Sequence, residues 1–247
     1  MEDIELLRYS RQIMLPDFDI AGQEALGNAT VLIVGVGGLG SPAALYLAAA
    51  GVGHLILCDD DVVDLSNLQR QIAHTTAAVG QNKALSAQAA IDALNPHIKV
   101  TAMDQRIDTS ALQTLLREVD LVLDCTDNFE TRYVINDLCW QAGTPVVSGA
   151  AIRWEGQVTL FDPNTADGPC YRCLYPTGNS EALNCADNGV IAPLVGIIGT
   201  CQALEAIKYI AGVGDNLVGF ILYLDSKYME WRKLKLSRRE GCRVCGG

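Results

Sequence analysis

The stretch ATVLIVGVGGLGSPAALYLAAAG, residues 29–51, decides the fold of this chain. Its first part is an apolar run typical of a buried strand, and its alanine- and leucine-rich second part predicts a helix. Gly35, Gly37 and Gly40 lie between them in the spacing G-x-G-x-x-G. Glycines in such a turn let the backbone approach a phosphate, and the start of the helix favours negative charge. The stretch therefore predicts a strand, loop and helix that bind a nucleotide, without saying which nucleotide.

Predicted strands and helices alternate around that stretch. Residues 1–27 are expected to be helical, from IELLRYSRQIML and AGQEALG, and the helix after the glycines is expected to end at Gly51 or Gly53. Further strands are predicted at HLILCD, IKVTAMD, DLVLDC and TPVVSGA, with helices at KALSAQAAIDALN, 109–118 and 130–142. This alternation predicts an α/β, Rossmann-like, mostly parallel sheet with helices on both faces.

The pattern changes in the C-terminal part. EGQVTLFDP indicates an exposed strand and turn, residues 163–188 are loop-like, and GFILYLDSKYMEWRKLKL alternates as antiparallel strands do. The apolar segment 189–212 predicts a core or interface helix in its second half. We expect one domain over residues 1–247, with a nucleotide-binding part at about 28–150 and a further part at about 151–247.

Composition and charge disfavour several classes of partner. The net charge is −11, and nucleic acids and anionic membranes attract clustered lysine and arginine instead. The apolar segment contains Gln202, Glu205 and Lys208, which makes it a poor membrane span. The opening MEDIELLRYSRQ is acidic and has no long apolar core, so no targeting segment is predicted. A cytoplasmic protein with a protein partner or a small substrate is expected.

Charged side chains follow two of the predicted strands. In CDDDVVDLSNLQRQ, Asp59 stands where a ribose-binding acid belongs. Arg70 and Lys83 could hold the charges of a triphosphate, and Asp127, after the fourth strand, would be a natural magnesium ligand. The alternatives are surface charges and, for Asp127, a helix cap. Since a dinucleotide does not need these extra cations, the set disfavours an NAD-dependent dehydrogenase.

The chain has nine cysteines, an odd number that argues against a disulfide framework. Four of them form two C-x-x-C pairs, which predict a closed tetrahedral zinc site, with two redox dithiols as the alternative. The zinc ligands would be Cys170, Cys173, Cys242 and Cys245. The cysteines expected in the core are Cys58, Cys125, Cys139 and Cys201. Cys185, in the polar segment SEALNCADNG, is either a nucleophile or incidental.

Eight short motifs, taken in order along the chain, resemble those of the MoeB/ThiF family, the bacterial relatives of ubiquitin-activating enzymes. They are RYSRQ, GVGGLG, DDDVVDLSNLQRQ, GQNK, DCTDN, PCYRCL, GVIAPLVGIIG and GCRVCGG. The resemblance covers essentially the whole chain and is greater to the MoeB type than to the ThiF type. It implies ATP-dependent adenylation of the C-terminal Gly-Gly carboxylate of a small ubiquitin-like sulfur carrier, with release of pyrophosphate. The carrier would be of the MoaD type, in molybdopterin biosynthesis, or alternatively of the ThiS type, in thiamine biosynthesis.

The resemblance also implies roles for single residues. Asp59 would hold the ribose of ATP, and Asp127 would bind Mg²⁺. Arg11, in RYSRQ, would reach into the active site of the other subunit of a homodimer. The residues that would act in catalysis are Arg11, Asn67, Arg70, Lys83, Asp127 and, as a candidate only, Cys185 of a mobile crossover loop. The residues that would contact the nucleotide are Gly35, Gly37, Gly38, Gly40, Asp59, Asp61, Ser66, Asn67, Gln69, Arg70, Lys83, Asp127 and Asn128.

Partners follow from the same resemblance. The part at about 151–247 would dock the carrier and hold the zinc. AIRWEGQVTLF could belong to the docking surface, although strand packing explains Trp154 equally well. The chain shows no appended rhodanese domain, so sulfur would come from a separate sulfurtransferase or desulfurase.

Three other functions share parts of the pattern. An NAD-dependent oxidoreductase shares the glycine loop, but Arg70, Lys83 and Asp127 disfavour it. A non-catalytic scaffold, like the inactive halves of eukaryotic activating enzymes, would tend to lose these ATP residues. A tRNA-modifying dehydratase of related fold shares the loop and the aspartate, but the two C-x-x-C pairs and GVIAPLVGIIG favour the adenylating enzyme.

Overall fold

The computed structural model describes residues 1–177 and 189–246. Its helices are α1 (Asp3–Ile13), α2 (Asp19–Asn28), α3 (Gly40–Ala50), α4 (Lys83–Leu94), α5 (Thr109–Leu115), α6 (Phe129–Ala142), α7 (Tyr171–Leu174) and α8 (Ala192–Ala211). Its strands are β1 (Thr30–Val34), β2 (His54–Cys58), β3 (Lys99–Met103), β4 (Leu121–Asp124), β5 (Val146–Ile152), β6 (Glu155–Phe161), β7 (Phe220–Asp225) and β8 (Glu230–Lys235). Two short 3₁₀ helices, Leu65–Asn67 and Thr76–Ala78, lie between β2 and α4.

In the described part of the chain the strands form one sheet in the order β3-β2-β1-β4-β5-β6-β7-β8. The pairs from β3 to β5 are parallel, and the pairs from β5 to β8 are antiparallel. Val34 of β1 is in register with Cys58 of β2 and Asp124 of β4, so these three strands end at one edge. The predicted fold class is confirmed, and the C-terminal antiparallel strands continue the same sheet.

Helices cover both faces of the sheet, because successive side chains of a strand point to opposite sides. Val31 and Ile33 of β1 pack in a core with residues of α3, α4 and α8. Leu32 and Val34 pack in a second core with residues of α5 and α6. A strand that is buried on both faces needs a continuous apolar sequence, which is what ATVLIVGV provides.

The strand in EGQVTLFDP is interior, so the prediction that it is exposed is wrong. β6 pairs with β5 on one side and β7 on the other, and Val158 and Leu160 are fully buried. Gln157 and Thr159 alternate with them and suggested a solvent face. Instead, Gln157 hydrogen-bonds to the Tyr175 hydroxyl at 2.6 Å, and Thr159 donates to a carbonyl of β7 at 2.7 Å.

Helix α8 is longer than predicted, because it begins at Ala192 and so fills most of the segment 189–212. Within the described residues it is the one helix long and apolar enough, by length and composition alone, to cross a membrane. Leu194 and Ile198 are buried against the sheet, in contact with β5 and β6. Its position in the core accounts for its apolar composition.

The remaining predicted elements differ little from the observed ones. The hairpin of β7 and β8 is confirmed, with Asp225 opposite Glu230 next to the turn. The loop prediction for 163–188 is wrong at α7, where Tyr171–Leu174 forms one helical turn that begins after Cys170. That turn places the first C-x-x-C pair and is described with it below.

Candidate active site

A cleft opens at the edge where β1, β2 and β4 end. The glycine loop between β1 and α3 forms its floor, and the loops after β2, β3 and β4 form its walls. The start of α8 adds Val195. Nine predicted nucleotide-contacting residues line this cleft, namely Gly35, Gly37, Gly38, Asp59, Asp61, Arg70, Lys83, Asp127 and Asn128. The carboxyl edge of a parallel sheet is where ligands of such folds bind.

The glycines of the loop serve different purposes. Gly35 has a left-handed φ of +88°, and a Cβ there would lie 2.8 Å from the Cys125 carbonyl oxygen. A Cβ on Gly40 would lie 1.9 Å from the Gly35 carbonyl oxygen, so Gly40 allows α3 to pack against the loop and does not line the cleft. Gly37 and Gly38 line the cleft beside Gly35.

Asp59 joins the end of β2 to the glycine loop. Its Oδ2 accepts from the Val36 N–H at 2.7 Å, and its Oδ1 accepts from the Asp61 N–H at 3.0 Å. Burial raises the pKa of Asp59, whereas the Val36 N–H and the charge of Lys83 act in the opposite direction. The carboxylate lies at the cleft, where the hydroxyls of a ribose could donate to its remaining lone pairs.

Two cations face the cleft from the segment after β2. Lys83, only 6% exposed, opens α4, and its Nζ lies 2.8 Å from Oδ2 of the exposed Asp61. Asn82 caps that helix by accepting from the Leu85 N–H at 3.1 Å. Arg70 is half-buried and donates to the Ser66 carbonyl oxygen at 3.2 Å. Arginine and lysine at the start of a helix and beside a glycine loop form a site for an anion such as a polyphosphate.

Several predicted contacts do not line the cleft. The Asn67 Oδ1 accepts from the Asp64 N–H at 3.2 Å, and the Ser66 hydroxyl donates to Asp64 Oδ1 at 2.6 Å. These bonds close the 3₁₀ turn that precedes Arg70, so both residues shape the segment without lining the cleft. Gln69 is exposed outside the cleft, as is Arg11 in the last turn of α1.

Asp127 and Asn128 follow β4 and begin α6. Asn128 is the helix cap, because its Oδ1 accepts from the Thr131 N–H at 2.9 Å. The alternative that Asp127 caps this helix is therefore wrong. Its carboxylate is exposed at the cleft, on the opposite wall from Lys83, and remains suited to a hard cation.

Four further residues of the site were not predicted. Arg106, in the loop after β3, and Gln71 line the cleft. Arg132 of α6 is buried. Its guanidinium donates to the carbonyl of Thr126, which follows β4, and to the carbonyl of Gly149, which lies in β5. His74 lies beneath the glycine loop. Gln71 ends the motif CDDDVVDLSNLQRQ and Arg106 follows the predicted strand IKVTAMD, so both had a local signal, whereas Arg132 and His74 had none.

The two C-x-x-C pairs come together as predicted. The four Sγ atoms lie within 4.8 Å of one another, with Cys170 3.7 Å from Cys242 and Cys173 3.2 Å from Cys245. Zinc bound tetrahedrally at about 2.3 Å requires sulfur separations of about 3.8 Å, so the residues fit this ion. Burial would raise the pKa of Cys242, but hydrogen bonds from the backbone of Cys245 and Val244 and with the thiols of Cys245 and Cys170 lower it to about 6. Burial raises the pKa of Cys170 and of Cys245.

Helix α7 attaches this cysteine cluster to α6. Arg172 forms a bidentate ion pair with Asp137 at 2.6 and 2.7 Å. Its guanidinium lies 4.0 Å from the centre of the Tyr133 ring, and the Tyr133 hydroxyl donates to the Tyr175 carbonyl oxygen at 2.9 Å. These contacts link the cysteine cluster to the helix that begins beside Asp127.

The cysteines outside this cluster differ in burial. Cys58, Cys125 and Cys139 are buried, as predicted, whereas Cys201 is only half-buried on α8. Cys185 lies outside the described residues. Trp154 is 47% exposed at the turn between β5 and β6. Its exposure is compatible with the predicted docking surface, which stays a prediction.

Comparison with known proteins agrees with this geometry. The model of the ThiF family matches residues 9–244. The molybdopterin-synthase adenylyltransferase of Escherichia coli (strain K12) is 52% identical over 246 residues, covering 100% of this chain and 98% of that protein. The sulfur carrier protein ThiS adenylyltransferase of the same organism is 47% identical over 247 residues, again covering 100% and 98%.

A solved structure extends the likeness to the fold. The crystal structure of E. coli MccB with ATP superposes with a TM-score of 0.84 at 26% sequence identity. The match covers 97% of this chain and 74% of that one.

Proposed function

The chain belongs to the ThiF family, and from this premise we propose that it is an adenylyltransferase that activates a small ubiquitin-like sulfur-carrier protein with ATP. A carboxylate oxygen of the carrier's C-terminal glycine attacks the α-phosphorus of ATP. A bond forms between that oxygen and phosphorus, the bond from phosphorus to the bridging oxygen of the β-phosphate breaks, and pyrophosphate leaves. The product is an acyl-adenylate for later conversion to a thiocarboxylate.

The observation that carries this proposal is the convergence of the glycine loop, Arg70 and Lys83 on one cleft. Transfer at phosphorus depends mainly on positioning and on neutralisation of charge. The loop and the two cations supply both for a triphosphate, and Asp59 orients the nucleoside. The carrier itself provides the nucleophile, so no residue of the chain has to be one.

Two metal ions complete the proposal. Asp127 would hold magnesium, which would neutralise phosphate charge, and Asn128 lies beside it. Zinc would be held by the four clustered thiolates, with no open position for chemistry. It would fasten the last described residues to α7.

We further infer a cytoplasmic homodimer. Arg11 is exposed and lies outside the cleft of its own chain. In the proposed dimer it would complete the cleft of the second copy. Helix α1 and the turn after it also expose Leu7, Met14 and Leu15, which an interface would cover. Sulfur would come from a separate sulfurtransferase or desulfurase, and residues at about 151–247 would dock the carrier.

The preferred carrier is of the MoaD type, for molybdopterin biosynthesis. The relative named molybdopterin-synthase adenylyltransferase shares more identical residues with this chain than the relative named ThiS adenylyltransferase does. A ThiS-type carrier, for thiamine biosynthesis, is the alternative.

Carrier-dependent exchange between pyrophosphate and ATP tests the proposal, with a MoaD-type and a ThiS-type carrier in parallel. We expect label to enter ATP with the MoaD-type carrier. Lys83→Gln should lower the exchange rate about 100-fold or more, since it removes a cation from the phosphates. Lys99→Gln, at an exposed lysine of β3, is the matched control and should leave the rate unchanged.

The other outcomes are informative in different ways. Exchange only with the ThiS-type carrier would move the enzyme to the thiamine route. ATP binding without exchange would indicate a different acyl acceptor. Absence of both would overturn the proposal and return the glycine loop to an NAD-dependent oxidoreductase.

A further inference from the structure

A buried histidine that takes no part in the proposed reaction holds the middle of the glycine loop. His74 Nε2 lies 3.0 Å from the Val36 carbonyl oxygen, and His74 Nδ1 lies 3.0 Å from the Ser86 hydroxyl. A carbonyl can only accept, so Nε2 carries the proton, and Nδ1 of the neutral ring accepts from Ser86. His74 is 6% exposed, and burial lowers its pKa, which favours this neutral form.

The bond to Val36 controls the direction of the next N–H group. The Val36 carbonyl and the Gly37 N–H belong to one planar trans peptide, so they point in opposite directions. Gly37 lines the cleft, and its N–H has no hydrogen-bond partner among the described residues. With the carbonyl held from beneath, this N–H is directed away from the protein interior and towards the position of a ligand.

The neighbouring groups make the same peptide part of a continuous hydrogen-bonded path. The Val36 N–H donates to Asp59 on one side of the loop. On the other side, Ser86 lies on α4 one turn after Lys83, so the path connects the loop to the helix that presents the lysine. Ser41 Oγ also lies 3.2 Å from the Val36 carbonyl oxygen, so His74 is its nearer but not its sole donor.

We propose that His74 is a positioning residue for nucleotide binding, which fixes the Val36–Gly37 peptide so that the Gly37 N–H donates to a phosphate oxygen. His74 itself does not touch the nucleotide. The inference rests on the proposed function, because it takes a nucleoside triphosphate as the ligand of the cleft.

Three variants test the role by titration calorimetry with ATP. His74→Leu keeps the bulk but loses the donor, and we expect the Kd for ATP to rise about tenfold, as for one weakened charge-assisted hydrogen bond. His74→Gln can place an amide N–H near the position of Nε2 and should restore most of the affinity. His97→Leu, at an exposed histidine outside the cleft, should match the wild type.

Rescue by glutamine separates positioning from general damage. Both His74 variants lose the imidazole packing, so thermal unfolding should shift similarly in the two, while only the leucine variant loses ATP affinity. Equal ATP affinity of leucine and glutamine variants, whether weak or as tight as the wild type, would overturn the inference.

Ser86→Ala supplies a second test that leaves His74 in place. It removes the hydroxyl that donates to His74 Nδ1 and helps to orient the ring, and we expect the Kd for ATP to rise about two- to threefold. If the His74 variants fold poorly, Ser86→Ala becomes the deciding test. An unchanged Kd for ATP in Ser86→Ala would then count against the inference. Failure of the wild type to bind ATP would instead overturn the proposed function.

Discussion

At the scale of the residue, the glycine loop shows that one spacing can serve several physical needs. The G-x-G-x-x-G pattern predicted close approach of backbone to phosphate, and Gly37 lies at the cleft as expected. Gly35 is required for its left-handed φ, and Gly40 because two stretches of backbone meet there. The pattern is thus partly a requirement of the strand-to-helix turn itself.

The contact at Gly40 gives a prediction about stability. Gly40→Ala would place a Cβ 1.9 Å from the Gly35 carbonyl oxygen, so backbone must shift, and we expect a loss of about 2–4 kcal/mol in the free energy of unfolding. Gly196→Ala, within α8, is the matched control, because nothing lies within 4 Å of its Cβ. It should be neutral or stabilise by up to ~1 kcal/mol. Urea unfolding of both variants measures the difference, and equal stabilities would contradict this account.

The buried His74 predicts a pH dependence of stability. Its pKa is lowered from 6.5 on folding, so the unfolded chain binds more protons below that pH. Its contribution is therefore complete above about pH 6.5 and is lost as the pH falls towards the pKa of the folded state. We expect His74→Gln to lose less thermal stability than the wild type between about pH 7.5 and pH 5.5. The pKa of His54 is also lowered, but His54 is present in both proteins, so their comparison isolates His74. An identical pH dependence of the two proteins would show that His74 does not titrate in this way.

At the scale of the element, α7 shows how a short helix gains a defined position from its neighbours. A single turn of four residues is too short to be stable alone. It is held by the ion pair of Arg172 with Asp137, by tilted and edge-on contacts of the Tyr171 ring with aromatic rings of α6, and by the cysteine cluster. The sequence 163–188 contains mostly turn-forming residues, so its local pattern predicted a loop.

The cysteine cluster gives the prediction for this element. Cys242→Ser should abolish bound zinc and lower the midpoint of thermal unfolding, because it removes a ligand that ties the end of the chain to α7. Cys201→Ser, at a half-buried cysteine outside the cluster, should retain about one zinc ion per chain. Elemental analysis of both purified variants measures the number of zinc ions bound per chain. Retention of zinc by Cys242→Ser, or its loss from Cys201→Ser, would contradict the assigned ligands.

At the scale of the whole molecule, α6 connects the two chemical sites. It begins beside Asp127 at the cleft, and its Asp137 pairs with Arg172 of the helical turn that follows Cys170. Arg11 belongs to neither site and is exposed at the end of α1. In the proposed dimer it would reach the cleft of the second subunit.

Complementation of two inactive variants tests this arrangement. Arg11→Ala and Lys83→Gln should each be inactive alone. If Arg11 acts across the dimer, mixed dimers contain one intact cleft, and random exchange of subunits should restore about a quarter of wild-type exchange activity. If Arg11 acts in its own subunit, no activity returns on mixing. Sedimentation of the mixture confirms whether dimers are present.

Much of the fold was predictable because it depends on local patterns. The run at 29–36 is apolar without alternation, as a strand covered on both faces requires, and the regular return of such runs predicted the parallel sheet. Asp59 and Asp127 were found because they stand directly after strands, and parallel strands bring their carboxyl ends to one edge. The four cysteines were found because C-x-x-C spacing reflects the geometry of a metal rather than of a fold.

Only the tertiary structure decided the rest. Whether β6 is interior, and whether Arg132 and His74 belong to the site, depends on which segments meet across the sheet or beneath the loop. His74 lies 38 positions from Val36 along the chain, and their contact exists only because α3 and α4 pack on the same face. Local sequence determines periodicity, turns and metal spacing, since these involve near neighbours. Burial and hydrogen bonding between distant segments depend on how the elements pack. The local signals predicted several residues of the cleft, but packing determined which side chains meet there.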